Sequence, residues 1–138
     1  MRKILFATDG SKYSGHAGRM TEELLKAWPE AECTVLYVTV RENYAYDLVP
    51  DAVRFEEKLS QMIEKEIYEQ FSLWQDRIRF MNLTGHPVKS ICAVSAEEKA
   101  DLIVMGSRGR GLMKEALLGS VTHGVLHHAD VPVLVAKS

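Results

Sequence analysis

The sequence predicts a single doubly wound α/β domain. A five-stranded parallel sheet in the order 3-2-1-4-5 carries helices on both faces. Three observations lead there. Short, almost continuous apolar runs read as strands buried on both sides, as in a parallel sheet. Segments of helical period alternate strictly with them, which implies right-handed crossovers. Glycine-bearing corners follow the first and fourth runs, the two strands that flank the switch in this order and beyond whose carboxyl ends ligands bind.

The elements follow in order. Residues 2–8 (RKILFAT) form the first strand, broken by Asp9, Gly10 and Ser11. From Ser14 onward, Ala17, Met20, Leu24 and Ala27 recur at helical spacing, and Trp28 and Pro29 end that helix. Residues 32–40 (ECTVLYVTV) are rich in β-branched side chains and form the second strand. Residues 41–50 have no period and read as a loop, with Asp51 placed to cap the next helix. Phe55, Leu59, Met62, Ile63, Ile67, Phe71 and Trp74 mark one face of a long helix. Residues 76–83 alternate Ile78 and Phe80 with Arg77 and Arg79, a third strand whose charged face suits an edge. After Gly85, His86 and Pro87, a shorter helix carries Val88, Ile91, Cys92 and Ser95 and ends near Lys99. Residues 101–105 (DLIVM) form the fourth strand. A glycine-rich loop spans 106–119, and Ser120 is placed to cap a last helix running to about His128. Residues 132–136 (PVLVA) form the fifth strand.

Composition narrows the function classes. The chain has 138 residues, 46% hydrophobic and 26% charged, with a formal net charge of −2. That is one ordinary domain, able to bury about two-thirds of its unfolded surface without a metal or disulfide. A general nucleic-acid binder would carry a basic excess, and no apolar run approaches the roughly 20 residues of a membrane span. The apolar stretch after Met1, Arg2 and Lys3 stops at Thr8, too early for a signal peptide, so a cytoplasmic protein is expected. Cys33 and Cys92 lack CxxC spacing and read as reduced, packed thiols.

The chemistry concentrates in the loop. Gly106, Ser107, Arg108 and Gly109 follow the fourth strand, and Gly119 and Ser120 come after nine intervening residues. A phosphate chain needs inward-pointing N–H groups with no Cβ in the way, which glycine provides. A helix start adds further N–H groups and a partial positive charge. Arg108, Arg110 and Lys114 are placed to balance phosphate charge. The Gly-Lys-[Ser/Thr] of a P-loop is absent.

Together with Asp9 after the first strand, Gly85-His86-Pro87 and the closing Pro132-Val133-Leu134-Val135, this pattern resembles the universal stress protein family across essentially the whole chain. The resemblance implies a Rossmann-like, adenine nucleotide alpha hydrolase-like fold. It also implies the ATP-binding subgroup, whose spacing G-x2-G-x9-G-[ST] is intact here in Gly106, Gly109, Gly119 and Ser120. It implies further that Ala7, Thr8 and Asp9 line the adenosine side, with Asp9 near the ribose or a Mg or Mn ion carried with ATP. Val38 would meet adenine through its backbone, and Met105 and Gly106 would flank ribose and phosphates. Ser107, Arg108 and Gly109 would wrap the phosphates, while Gly119, Ser120, Val121 and Thr122 close the opposite wall. Family members also pair the last strand across a two-fold axis, which predicts a homodimer through residues 132–136.

Other candidates have plainer readings. Asp9 can cap a turn. His123 and His127 stand four apart on a helix, a spacing that can hold zinc, but no third ligand accompanies them; with His16 and His128 they read as helix-surface or interface residues. Gly124 inside the last helix points to close packing on the sheet. Tyr44 and Tyr46 are loop aromatics near the expected adenine. No catalytic nucleophile emerges. The expected function is an ATP-binding regulatory switch serving a protein partner, with slow or absent hydrolysis. The alternatives are a weak ATPase or nucleotidyl-transferring enzyme, and a dimeric interaction module without nucleotide.

Overall fold

The computed structural model describes residues 1–40, 50–109 and 118–137. Five strands, β1 (Lys3–Thr8), β2 (Glu32–Thr39), β3 (Ile78–Thr84), β4 (Leu102–Gly106) and β5 (Val133–Ala136), form one parallel sheet in the order β3-β2-β1-β4-β5. The helices are α1 (Gly15–Ala27), α2 (Pro50–Gln70), α3 (Pro87–Glu97) and α4 (Ser120–His128). Short 3-10 turns precede α1 (Lys12–Ser14) and β3 (Ser72–Arg77).

The period-2 geometry of a strand sorts the core into two layers. Ile4 and Phe6 of β1, Cys33, Val35 and Tyr37 of β2, and Leu102 and Val104 of β4 face one side. There they meet Ala17 and Leu25 of α1, Ile63 and Ile67 of α2, and Phe71. Leu5, Ala7, Leu36, Ile103 and Met105 face the other side, against Ile91 and Val94 of α3 and Val125 of α4. Phe71 is completely buried and meets Phe6 edge to face, with ring centroids 6.3 Å apart. Burial also pushes the Cys33 thiol up to about 12, so it stays protonated, and Cys92 is shifted up by partial burial and by the charge of Asp130.

Several boundaries differ from the expectations. Asp51 lies inside the first turn of α2, which already begins at Pro50. The long helix stops at Gln70 rather than continuing to Trp74, whose backbone (φ −127°, ψ 28°) is not helical. β3 begins at Ile78, because Asp76 and Arg77 belong to the preceding 3-10 turn. There Arg77 donates two 2.6 Å hydrogen bonds, to Pro29 O and Leu25 O at the end of α1. Such bonds satisfy terminal helix carbonyls with a cation. The buried stripe of α1 runs through Ala17, Gly18, Thr21 and Leu25, while Met20 and Ala27 face out. Thr21 can be buried because its hydroxyl donates to Ala17 O at 2.8 Å. Phe55 and Met62 are exposed. Gly124 packs against Val88 of α3 rather than on the sheet: a Cβ there would lie 2.7 Å from a Val88 methyl.

Two ties hold the sheet at its amino end. The Asp101 carboxylate accepts the Arg2 and Lys3 N–H groups at 2.8 and 2.9 Å. Glu98 pairs with Arg79 and accepts the Thr34 hydroxyl at 3.1 Å. Among the described residues no helix is long and apolar enough to cross a membrane.

Candidate functional site

The carboxyl ends of β1, β4 and β2 open together into a cavity of about 830 Å³. That lies within the usual size for a small-molecule site, roughly 300–1,000 Å³. It sits at the switch point, because the chain winds from β1 outward to β2 and β3 and then returns to β4 on the opposite side.

The first wall is the corner after β1. Gly10 has φ 75°, a left-handed conformation that glycine adopts without strain. That turn lets Asp9 Oδ1 accept the Ser11 N–H at 2.9 Å and Thr8 Oγ1 accept the Gly10 N–H at 3.1 Å. Ser14 donates its hydroxyl to Ser11 O at 2.8 Å and lies 2.9 Å from Thr8 Oγ1, so Thr8 is the donor in that pair. Ala7, Thr8, Asp9 and Ser14 all line the cavity.

The second wall is the glycine loop. An ideal Cβ on Gly109 would stand 2.6 Å from Asp9 Oδ2, so the two corners meet closely and any larger residue would push the Asp9 carboxylate aside. Met105, Gly106, Arg108 and Gly109 line the cavity.

The third wall is the start of α4, with Gly119, Ser120, Val121 and Thr122. The N-cap is Gly119, not Ser120, which is the first helical residue. Gly119 spends its N–H on Ser107 O at 2.7 Å, so the amides left without an intrahelical partner are those of Ser120, Val121 and Thr122. Together with the positive end of the helix dipole they form an anion-receptive surface. Thr122 Oγ1 donates to Gly106 O at 2.8 Å and locks this wall onto β4.

Twelve of the thirteen residues singled out from the sequence therefore line one cavity. The exception is Ser107, which is buried behind it. Its N–H donates to Ala136 O at 3.0 Å, and its carbonyl holds Gly119. Val38 lines the cavity at the end of β2. Arg110, Lys114, Tyr44 and Tyr46 lie outside the described residues.

Sequence reasoning missed the fourth wall: Val40, Phe55, Glu56 and Leu59 at the β2 end, with Pro87 and Ile91 of α3. His123 also lines the cavity, one turn into α4, where the sequence suggested only surface. The available signal was the i, i+4 step from Phe55 to Leu59 directly after the loop that follows β2. Among the described residues no group of three or more His, Cys, Asp and Glu is gathered as a metal site.

Fold and cavity together define a doubly wound α/β domain with an anion-receptive crevice at its switch point. The model of the universal stress protein family matches residues 1–137. The chain belongs to that family. A universal stress protein from Thermus aquaticus, encoded in the QAH/OAS sulfhydrylase 3′ region, is 35% identical over 143 residues, covering 99% of this chain and 98% of that protein. The solved structure of protein MJ0577 of Methanocaldococcus jannaschii superposes with a TM-score of 0.83 at 28% identity, covering 99% of this chain and 96% of that one. A family protein of Arabidopsis thaliana, solved with AMP bound, gives a TM-score of 0.68 at 20% identity over 99% of this chain and 92% of its own, a likeness of fold.

Proposed function

We propose that this chain is an ATP-binding universal stress protein, acting in the cytoplasm as a small regulatory switch for a protein partner. The observation that carries the reading is the approach of the Asp9 corner, the Gly109 corner and the amino end of α4 around one cavity. Their backbone surfaces suit a phosphate chain, and the cavity is large enough for the nucleoside as well. The AMP held by the Arabidopsis relative supports an adenine nucleotide in this fold. Asp9, a hard oxygen donor at the phosphate end, would hold Mg or Mn carried with the nucleotide, because Mg is commonly bound by one or two carboxylates plus substrate phosphates. The metal would supply charge neutralisation.

Nucleotide stabilises whichever conformation it binds more tightly, and a partner can then read that conformation. Hydrolysis is slow or absent in this reading, because the sequence places no general base to activate water and no arginine finger. Mass spectrometry of ligand released from native, undialysed protein tests the proposal. It predicts an adenine nucleotide in amounts comparable to the chain; protein that is free of nucleotide and fails to bind added ATP would refute it.

The same reading pairs β5 with a second copy. Among the described residues Val133–Ala136 pairs on one side only, with β4, and its apolar residues are half-buried. An apolar edge of this kind invites pairing. Sedimentation at micromolar concentration should give a dimer, and a stable monomer would contradict it.

A further inference from the structure

We propose that Phe55 is the stacking partner of the nucleobase, forming the outer wall of a base slot that separates aromatic-ring ligands from bare phosphates. The inference rests on the nucleotide reading above and adds a residue from an element that the sequence left outside the site.

The cavity has two chemically distinct ends. The glycine and amide walls belong to β1, β4 and α4. β2 lies on the far side of β1, about 10 Å from β4 at ordinary strand spacing. A ligand with its phosphates on the first end therefore carries its base toward the second. That end is mostly apolar: Val38 and Val40 at the close of β2, Pro87 and Ile91 from α3, and Phe55 and Leu59 from α2, with Thr39 and Glu56 beside them.

α2 overhangs the sheet there. Its 21 residues span about 31 Å, whereas the eight residues of β2 span about 26 Å. Ile63 and Ile67 sit in the core, and Leu59 is partly buried against it. Phe55, four residues earlier on the same stripe, has passed the end of the strand. It is 66% exposed, yet it lines the cavity. Among the described lining residues the other ring of this kind, Tyr37, is buried within the first core layer. His123, also exposed, stands on α4 at the amide end, so Phe55 is the aromatic side chain with surface to offer at the apolar end. Stacking on a purine covers that surface, and every base has a π-face to receive it.

The experiment compares wild type, Phe55→Ala and Phe55→Tyr by calorimetric titration with ATP and with adenosine. Because Phe55 is largely exposed, neither change threatens the core. The alanine variant should weaken ATP and adenosine by the same factor, about tenfold, and the tyrosine variant, which keeps the ring, should restore wild-type affinity. Unchanged affinity in the alanine variant, or a loss that tyrosine does not repair, overturns the stacking role while leaving nucleotide binding standing. Wild-type protein that binds neither ligand overturns the nucleotide reading, and this inference with it.

Discussion

Replacing Gly119 with valine separates the ligand's need for an empty wall from the fold's need for glycine. An ideal Cβ at Gly119 finds its nearest neighbours at 3.5–3.6 Å, all backbone of residues 107–109, which is ordinary contact. Its backbone, φ −66° and ψ 159°, lies in the extended region open to any residue. The cost to folding comes from the helix cap, where valine is worse than glycine by about 1 kcal/mol. Reduced freedom of the unfolded chain offsets about 0.4–1 kcal/mol of that. The melting temperature should therefore move by no more than about 4 °C. The branched side chain, however, stands on the wall where the phosphates run. In wild type, ATP at one hundred times its dissociation constant contributes about 2.7 kcal/mol, a rise of about 9 °C for a chain of this size. Thermal unfolding with and without ATP reads both quantities. The variant should keep its unliganded melting temperature and lose the rise. A full ATP-induced rise in Gly119→Val would refute the placement of phosphates on this wall. Gly109→Val is a less clean probe, because its Cβ would displace the Asp9 carboxylate that holds the Ser11 amide.

Two further outcomes concern stability. Phe71→Ala should cost about 4 kcal/mol, read as a fall of about 2 M in the urea midpoint; a change under about 1 kcal/mol would contradict its place as the plug between α2, β3 and Phe6. Asp101 is held below its ordinary value of 3.8 by the Arg2 and Lys3 N–H groups, so the stability it contributes is present above that value and lost as pH falls through the lower folded one. Asp101→Asn should therefore lower stability at neutral pH, converge with wild type at low pH and so flatten the acid limb of the stability curve, and an unchanged acid limb would count against the tie.

How much of this was legible in the sequence depends on how local each cause is. Strands β1, β2 and β4 are buried on both faces, so unbroken runs such as ILFA and LIVM announce them and their alternation sets the topology. The glycine corners were legible because glycines clustered just after a strand and just before a helix are a local signal in the sequence. Ser120 was one position and Asp51 two positions past the cap, because capping residues and first-turn residues share a composition. The end of α2 was not legible: Phe71 and Trp74 continue its apolar spacing, and only packing against Phe6 and the Arg77 bonds to α1 turn the chain there. Phe55 was placed on the right helical stripe, but its part in the cavity was missed for a related reason. One helical stripe serves the core at Ile63 and the cavity at Phe55, and where the strand beneath it ends is a tertiary fact. The commitment of the Gly119 amide to Ser107 was equally hidden, since it joins residues twelve apart across a loop.

Backbone amide NMR during titration with ATP would locate the nucleotide on the sheet residue by residue. The account predicts saturable shifts concentrated at Ser120, Val121 and Thr122, at Arg108 and Gly109, and at Val38 on the far side of β1. Saturation with those amides unmoved, or with shifts gathered on another face of the sheet, would contradict it.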